Sequence, residues 1–155
     1  MPSPTLLVGA GPGGLAVARA FKLFGVPYVH VERHRDVGGL WDADNPGSSI
    51  YESAHFISSK TCSAFHGFPM PDAYPDYPGQ AQILAYLRAF ADRFGLRDGI
   101  RFGSEVTAAA PRREGGWTVT FADGTRADHD AIVATVGSQW LPVMPSYTCT
   151  RGRPA

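Results

Sequence analysis

The 155-residue sequence predicts a three-layer α/β fold, a parallel sheet joined by a small antiparallel β-meander, and three observations carry this. An apolar run at Thr5 to Val8 leads into a glycine-rich turn and then into a segment of helical spacing. A second apolar run, Tyr28-Val29-His30-Val31, completes a strand–helix–strand unit of about 30 residues, the usual size of a βαβ unit. Further on, Trp117 to Phe121 alternates as a strand, Asp123-Gly124 marks a hairpin turn, and Arg126 begins the return. The length is that of one ordinary domain and allows a real core. Lys plus Arg number 14 and Asp plus Glu 14, so the formal net charge is zero. That balance excludes a strongly basic nucleic-acid binder and an acidic disordered tail. Eighteen glycines and 13 prolines are many for a helical bundle and point to tight turns and close backbone approaches.

In chain order, Thr5 to Val8 reads as a buried parallel strand ending in Gly9. From Gly13 to Phe24 the spacing is helical, with Leu15, Ala18, Phe21 and Leu23/Phe24 placed on one face and Gly25 as C-terminal cap. The second strand ends at Glu32. From Asp36 to Gly79 periodicity is weak, and so long an irregular stretch in a compact domain is often functional. A second helix follows from Gln82, with Ile83, Leu84, Leu87, Phe90, Ala91 and Phe94 repeating before Gly95. Ile100 to Phe102 and Val106 to Ala109 are short strands, and Ala131 to Val136 is a further apolar strand ending at Gly137. After Pro142 the pattern stops, and Tyr147 to Ala155 has no apolar periodicity.

Gly9-Ala10-Gly11-Pro12-Gly13-Gly14 matches G-x-G-x-x-G, in the place where the pattern carries chemistry. Gly9 permits the tight strand-to-helix turn, Gly11 lets the backbone approach a pyrophosphate, and Gly14 lets helix and strand pack closely. The helix N-terminus offers amide donors and partial positive charge to phosphates. The second strand ends in Glu32, 18 positions after Gly14, where an acid accepts hydrogen bonds from ribose hydroxyls. Glu rather than Arg at that tip favours an unphosphorylated ribose, hence FAD or NAD over NADP. Arg33 either stacks on adenine or is a solvated surface residue.

A second diglycine, Gly38-Gly39, follows soon after. With Glu32-Arg33 and Val37-Gly38-Gly39-Leu40-Trp41, the chain resembles the flavin-containing monooxygenase family and its G-G-x-W signature. The resemblance extends through Tyr51-Glu52-Ser53, Ser58-Ser59-Lys60, Phe68-Pro69-Met70-Pro71, Tyr74 to Pro78, Gln82 to Leu87, and Trp117 to Gly137. It implies a Rossmann-like FAD-binding domain, present in its N-terminal part over residues 1–147, with an irregular tail at 148–155. The implied cofactor-binding set is Gly9, Gly11, Pro12, Gly13, Gly14, Glu32, Arg33, Gly39, Leu40, Trp41, Val106 and Gly137. Leu40-Trp41 backbone would touch the flavin half, although Trp41 also fits a core aromatic. No catalytic residue and no metal ligand is assigned.

The implied activity is oxygenation of a soft nitrogen or sulfur nucleophile, or Baeyer–Villiger oxidation, through a peroxyflavin, with FAD and NADPH as cofactors and a small molecule as substrate. Three departures stand against full activity. Ile57 occupies the place of the family's flavin-adduct asparagine and cannot hydrogen-bond through its side chain. The A-T-G tripeptide is altered, with Thr135-Val136-Gly137 or Ala134-Thr135 in its place. The second G-x-G-x-x-G, for NADPH, the F-x-G-x-x-x-H-x-x-x-Y/F fingerprint and the C-terminal return segment are all missing. The domain is therefore expected to be incomplete and the chain alone inactive. The alternatives are a truncated, non-catalytic dinucleotide-binding fragment, or part of another FAD/NAD(P)-dependent oxidoreductase. Cys62 and Cys149 form no C-x-x-C pair and read as free thiols. With no signal peptide or membrane-length apolar run, the expectation is a soluble cytoplasmic protein. His30, His34, His55, His66 and His129 read as structural or surface histidines, and oligomeric state is left open.

Overall fold

A computed structural model describes residues 3–138; Trp140, Pro142, Cys149 and the 147/148 boundary lie outside them. Leu6 and Leu7 are adjacent in β1 (Thr5–Val8), and both are fully buried. Successive strand residues face opposite ways, so both faces of β1 must be covered. Leu7 joins a core with Leu15, Ala18, Ile83, Leu87 and Phe90. Leu6 joins a smaller one with Val31 and Val119. This makes β1 the middle of three layers: helices, parallel sheet, meander.

The parallel sheet has the order β3-β2-β1-β7, with β2 at Tyr28–Val31, β3 at Ile100–Arg101 and β7 at Ile132–Ala134. β1 pairs with β2 on one side (Leu7 opposite His30) and with β7 on the other (Leu7 opposite Val133). The meander, β4 (Val106–Pro111), β5 (Trp117–Phe121) and β6 (Arg126–His129), is antiparallel. Strands 3, 4 and 7 differ by a residue or two at their ends from the sequence expectation. Such ends depend on pairing partners that a single sequence does not show.

On the other face lie α1 (Pro12–Phe24) and α3 (Gln80–Arg93). α1 starts one residue earlier than its spacing suggests, because Pro12 fits the first helical position. One expectation fails. Leu23 and Phe24 are 73% and 77% exposed. A residue every three positions drifts back about 60° per step on a 100° helix, so Phe24 sits opposite Leu15. Gly25 ends the helix in the left-handed region, with Val26 N–H donating to the Phe21 carbonyl at 2.9 Å.

α3 starts two residues before its expected Gln82. The Gln82 side chain instead accepts the Gly79 N–H at 3.0 Å, capping the helix start. The two helices are tied crosswise. Arg19 lies 4.0 Å from the Phe94 ring centroid, and Lys22 Nζ donates to the Phe94 and Gly95 carbonyls at 2.9 and 3.0 Å.

The stretch from 36 to 79 is mostly irregular. It holds a 3₁₀ turn at Gly39–Trp41 and one short helix, α2 (Lys60–Ser63). Its order comes from hydrogen bonds to specific groups. Tyr86 Oη donates to the Phe68 carbonyl at 2.6 Å and accepts the Phe65 N–H at 2.7 Å. Lys60 Nζ donates to the carbonyls of Asp72 and Tyr74 at 2.8 and 2.5 Å. Burial raises the Tyr86 phenol above its usual range, opposed by the Phe65 N–H and the Arg19 charge. No helix among the described residues is long and apolar enough to cross a membrane.

Candidate nucleotide-binding cleft

The turn between β1 and α1 is shaped by what a side chain would strike. A Cβ on Gly14 would lie 1.8 Å from the Gly9 carbonyl oxygen and 2.9 Å from Thr135 Oγ1. Helix and strand therefore meet with no room for a methyl group. Gly11 differs. It has φ −74°, open to any residue, and a Cβ there would come no closer than 3.6 Å, at Gly39 Cα, to any described residue beyond its chain neighbours. Nothing among the described residues requires glycine at position 11. The space its missing side chain leaves belongs to a cleft of about 760 Å3, within the range of small-molecule sites.

That cleft is lined by Gly9, Gly11, Pro12, Gly13, Glu32, Arg33, Gly39, Leu40, Val106 and Gly137, ten of the twelve residues nominated from the sequence. Gly14 and Trp41 are not part of its lining. Gly14 is buried in the turn behind it. The Trp41 ring packs edge-on against Phe56 with centroids 4.9 Å apart, on the core around Phe90. Its backbone carbonyl accepts Gln80 Nε2 at 2.6 Å. Ile57 is 99% exposed and is also outside the lining.

The two glycine segments touch. Gly38 N–H donates to the Ala10 carbonyl at 3.1 Å, and Gly39, at φ +57°, brings its backbone against Gly11. A Cβ on Gly39 would lie 2.9 Å from Gly11 Cα. This contact places Leu40 along the cleft wall. Beneath it, Asn45 Nδ2 donates to the Gly39 carbonyl at 3.2 Å, and Asn45 Oδ1 accepts the Gly47 N–H at 3.1 Å.

Glu32 is 6% exposed, and its carboxylate is held from two sides. Oε2 accepts the Ala10 N–H at 2.6 Å and Oε1 the His34 N–H at 2.8 Å. A carboxylate has about four acceptor sites, so each oxygen retains capacity for another donor. At α1 the N-cap Gly11 has no side-chain cap, and the first turn has no acid. The positive end of the helix is thus not neutralised by the helix's own first residues.

Several lining residues escaped the sequence reading. Asn45, Gly47, Ser104 and Glu105 line the cleft, as does Thr135. Thr135 Oγ1 donates to the carbonyls of Val8 and Gly9 at 2.7 and 3.1 Å. Asn45-Pro46-Gly47 carries a turn signal, the only hint available for that segment.

Behind the cleft, charged groups tie the diglycine loop to α3. Asp36 accepts Arg88 Nε at 2.9 Å and Arg97 Nη1 at 2.5 Å. Burial would raise the Asp36 carboxyl. The Arg97 hydrogen bond, the Val37 N–H and the charges of Arg97 and Arg88 outweigh it and hold the group below its ordinary value of 3.8. His30 moves the same way for another reason. Burial lowers it below 6.5, against the opposing pull of its bond to the Gly9 carbonyl and of the Glu32 charge.

Both shifts depress a folded-state pKa, so both contribute stability that is lost as pH falls. Urea unfolding of the chain should show stability declining below about pH 6.5, from His30. A second decline should set in below about pH 4, from Asp36. His30→Gln should remove the first decline and keep the second. A flat profile between pH 7 and 5 in the unsubstituted chain would refute the His30 assignment.

The flavin-binding monooxygenase-like family model matches residues 5–149. This chain belongs to that family. Among relatives of this flavin-binding monooxygenase-like chain, flavin-containing monooxygenase 3 of Macaca mulatta is 35% identical over 150 residues, 90% of this chain and 28% of that protein. The N-oxide-forming dimethylaniline monooxygenase 2 of Oryctolagus cuniculus is 31% identical over 156 residues, 94% of this chain and 29% of that protein. In solved structures, a steroid monooxygenase bound to NADP aligns with a TM-score of 0.78 and 29% identity, over 95% of this chain and 28% of that one. The S-allyl-L-cysteine S-oxygenase of Allium sativum aligns with a TM-score of 0.76 and 25% identity, over 88% and 37%. The monooxygenase-like chain thus spans less than a third of the length of those two sequence relatives.

Proposed function

We propose that this chain is the FAD-binding portion of an NADPH-dependent flavin monooxygenase acting on a soft nitrogen or sulfur centre, or on a carbonyl by Baeyer–Villiger oxidation. The observation that carries the FAD reading is Gly11, a glycine that the fold does not require, facing a cleft that a ligand would fill. The residues present fit the cofactor. The amide of Gly13, in the first turn of α1, has no intrahelical acceptor and suits a pyrophosphate. Glu32, already oriented by two backbone N–H groups, accepts from ribose hydroxyls. Arg33, Gly39 and Leu40 also line the cleft, with the Gly39 backbone against Gly11.

When bound, FAD would accept a hydride from NADPH and activate dioxygen. The residues of the chain bind, orient and exclude water. Leu40, Val106 and Val136 give the cleft an apolar side. The names of the relatives, which include N-oxide formation and cysteine S-oxygenation, support nitrogen or sulfur chemistry.

The test is direct. The purified chain, incubated with FAD and desalted, should retain a flavin absorption band at about one equivalent per chain. NAD offered in its place should be retained far less. A colourless, folded protein after FAD treatment would overturn the proposal and favour a non-binding fragment.

A further inference from the structure

We infer that His30 is a positioning residue for the phosphate turn, holding the Gly9–Ala10 peptide in the orientation that fixes Glu32; its bearing on cofactor affinity rests on the FAD reading above. The peptide is gripped at both ends. Its carbonyl oxygen accepts from His30 Nε2 at 2.9 Å and from Thr135 Oγ1 at 3.1 Å. Its N–H donates to Glu32 Oε2 at 2.6 Å. A peptide group is planar and rigid, so what holds the oxygen also aims the N–H. The His30 ring, through that peptide, therefore sets where the Glu32 carboxylate lies.

The chemistry of the ring defines its state. A carbonyl only accepts, so Nε2 carries the proton. Nδ1 is then an acceptor, and it is buried with no hydrogen-bond partner among the described residues. His30 is 1% exposed, opposite Leu7 on β1 and Ile100 on β3, with the Tyr28 ring 6.3 Å away and Glu32 two residues on. An imidazole with one unsatisfied nitrogen between Leu and Ile is a poor core residue. A hydrocarbon would pack there without that cost. What the histidine adds is the bond to Gly9.

The experiment compares the chain with His30→Gln, which places an amide donor near the same point, and His30→Leu, which does not. FAD affinity, urea midpoint and NMR of the apo chain are read together. His30→Leu should weaken FAD binding about tenfold or more, while its urea midpoint equals or exceeds that of His30→Gln. His30→Gln should bind FAD within about threefold of the unsubstituted chain. Affinity and stability would then rank in opposite orders, which a packing role alone does not produce. Equal affinities, or affinities that follow stability, would overturn the inference.

If the unsubstituted chain takes up no FAD, the FAD reading falls, but the clamp is still read in the apo chain. Exchange of the Ala10 amide should be about tenfold faster in His30→Leu than in His30→Gln, and equal rates would refute the clamp. If His30→Leu does not fold, nitrogen-15 NMR of the unsubstituted chain decides. At about pH 8 a neutral ring protonated at Nε2 supports the inference, and protonation at Nδ1 ends it.

Discussion

Gly14→Ala is expected to cost about 3 kcal/mol or more of stability, enough to leave much of the chain unfolded at 37 °C. The added methyl would sit 1.8 Å from the Gly9 oxygen and 2.8 Å from the Gly9 carbonyl carbon. These are backbone atoms of the turn at the end of a central strand, so they cannot swing aside as a side-chain tip would. Relief requires α1 to lift from β1, which opens the contacts of Leu15 and Ala18, both fully buried. The check is urea unfolding followed by circular dichroism. A midpoint within error of the unsubstituted chain would show that α1 can shift at little cost.

Gly11→Ala should do the opposite. Its backbone angles suit alanine, and its nearest foreign atom would be 3.6 Å away. Stability should change by no more than about 1 kcal/mol, the range of an N-cap change. FAD affinity should fall about 100-fold, because the methyl would occupy the line of approach of the pyrophosphate. Equilibrium titration with FAD gives the affinity, and unfolding curves show that the fold is intact. Full affinity in Gly11→Ala would remove the turn from the proposed site. Together the two variants separate a glycine that the protein needs from one that a ligand needs, three residues apart.

The sequence made much of this legible. The run from Thr5 to Gly14 and the acid at Glu32 each follow a spacing rule set by backbone geometry, and the turn and carboxylate lie where that rule puts them. Local periodicity also located α1, α3 and the meander. It misjudged Leu23 and Phe24, because spacing by threes mimics a face only over short distances. The bond from Thr135 to Val8 was out of reach, since it joins positions 127 apart. So was the histidine beneath the turn. His30 sits in an ordinary strand pattern, and only the position of the Gly9 carbonyl distinguishes it from a buried structural residue. The irregular stretch from 36 to 79 gave no periodic signal, because lone donors such as Lys60 and Tyr86 organise it.

The pairing of β1 with β7 also has a consequence in time. The first strand's neighbour in the finished sheet is among the last elements of the described chain. Contacts so distant in sequence make folding slow relative to helical proteins of similar size, because the intervening chain must be restrained before the contact gives any return. On the ribosome, the βαβ unit can emerge and pair early, but Thr135 cannot reach Val8 until more than 130 residues have been made. Completion of the cleft, whose lining includes Thr135, is therefore a late event. A flavin held by this chain would report that nearly all of the chain before it had already folded.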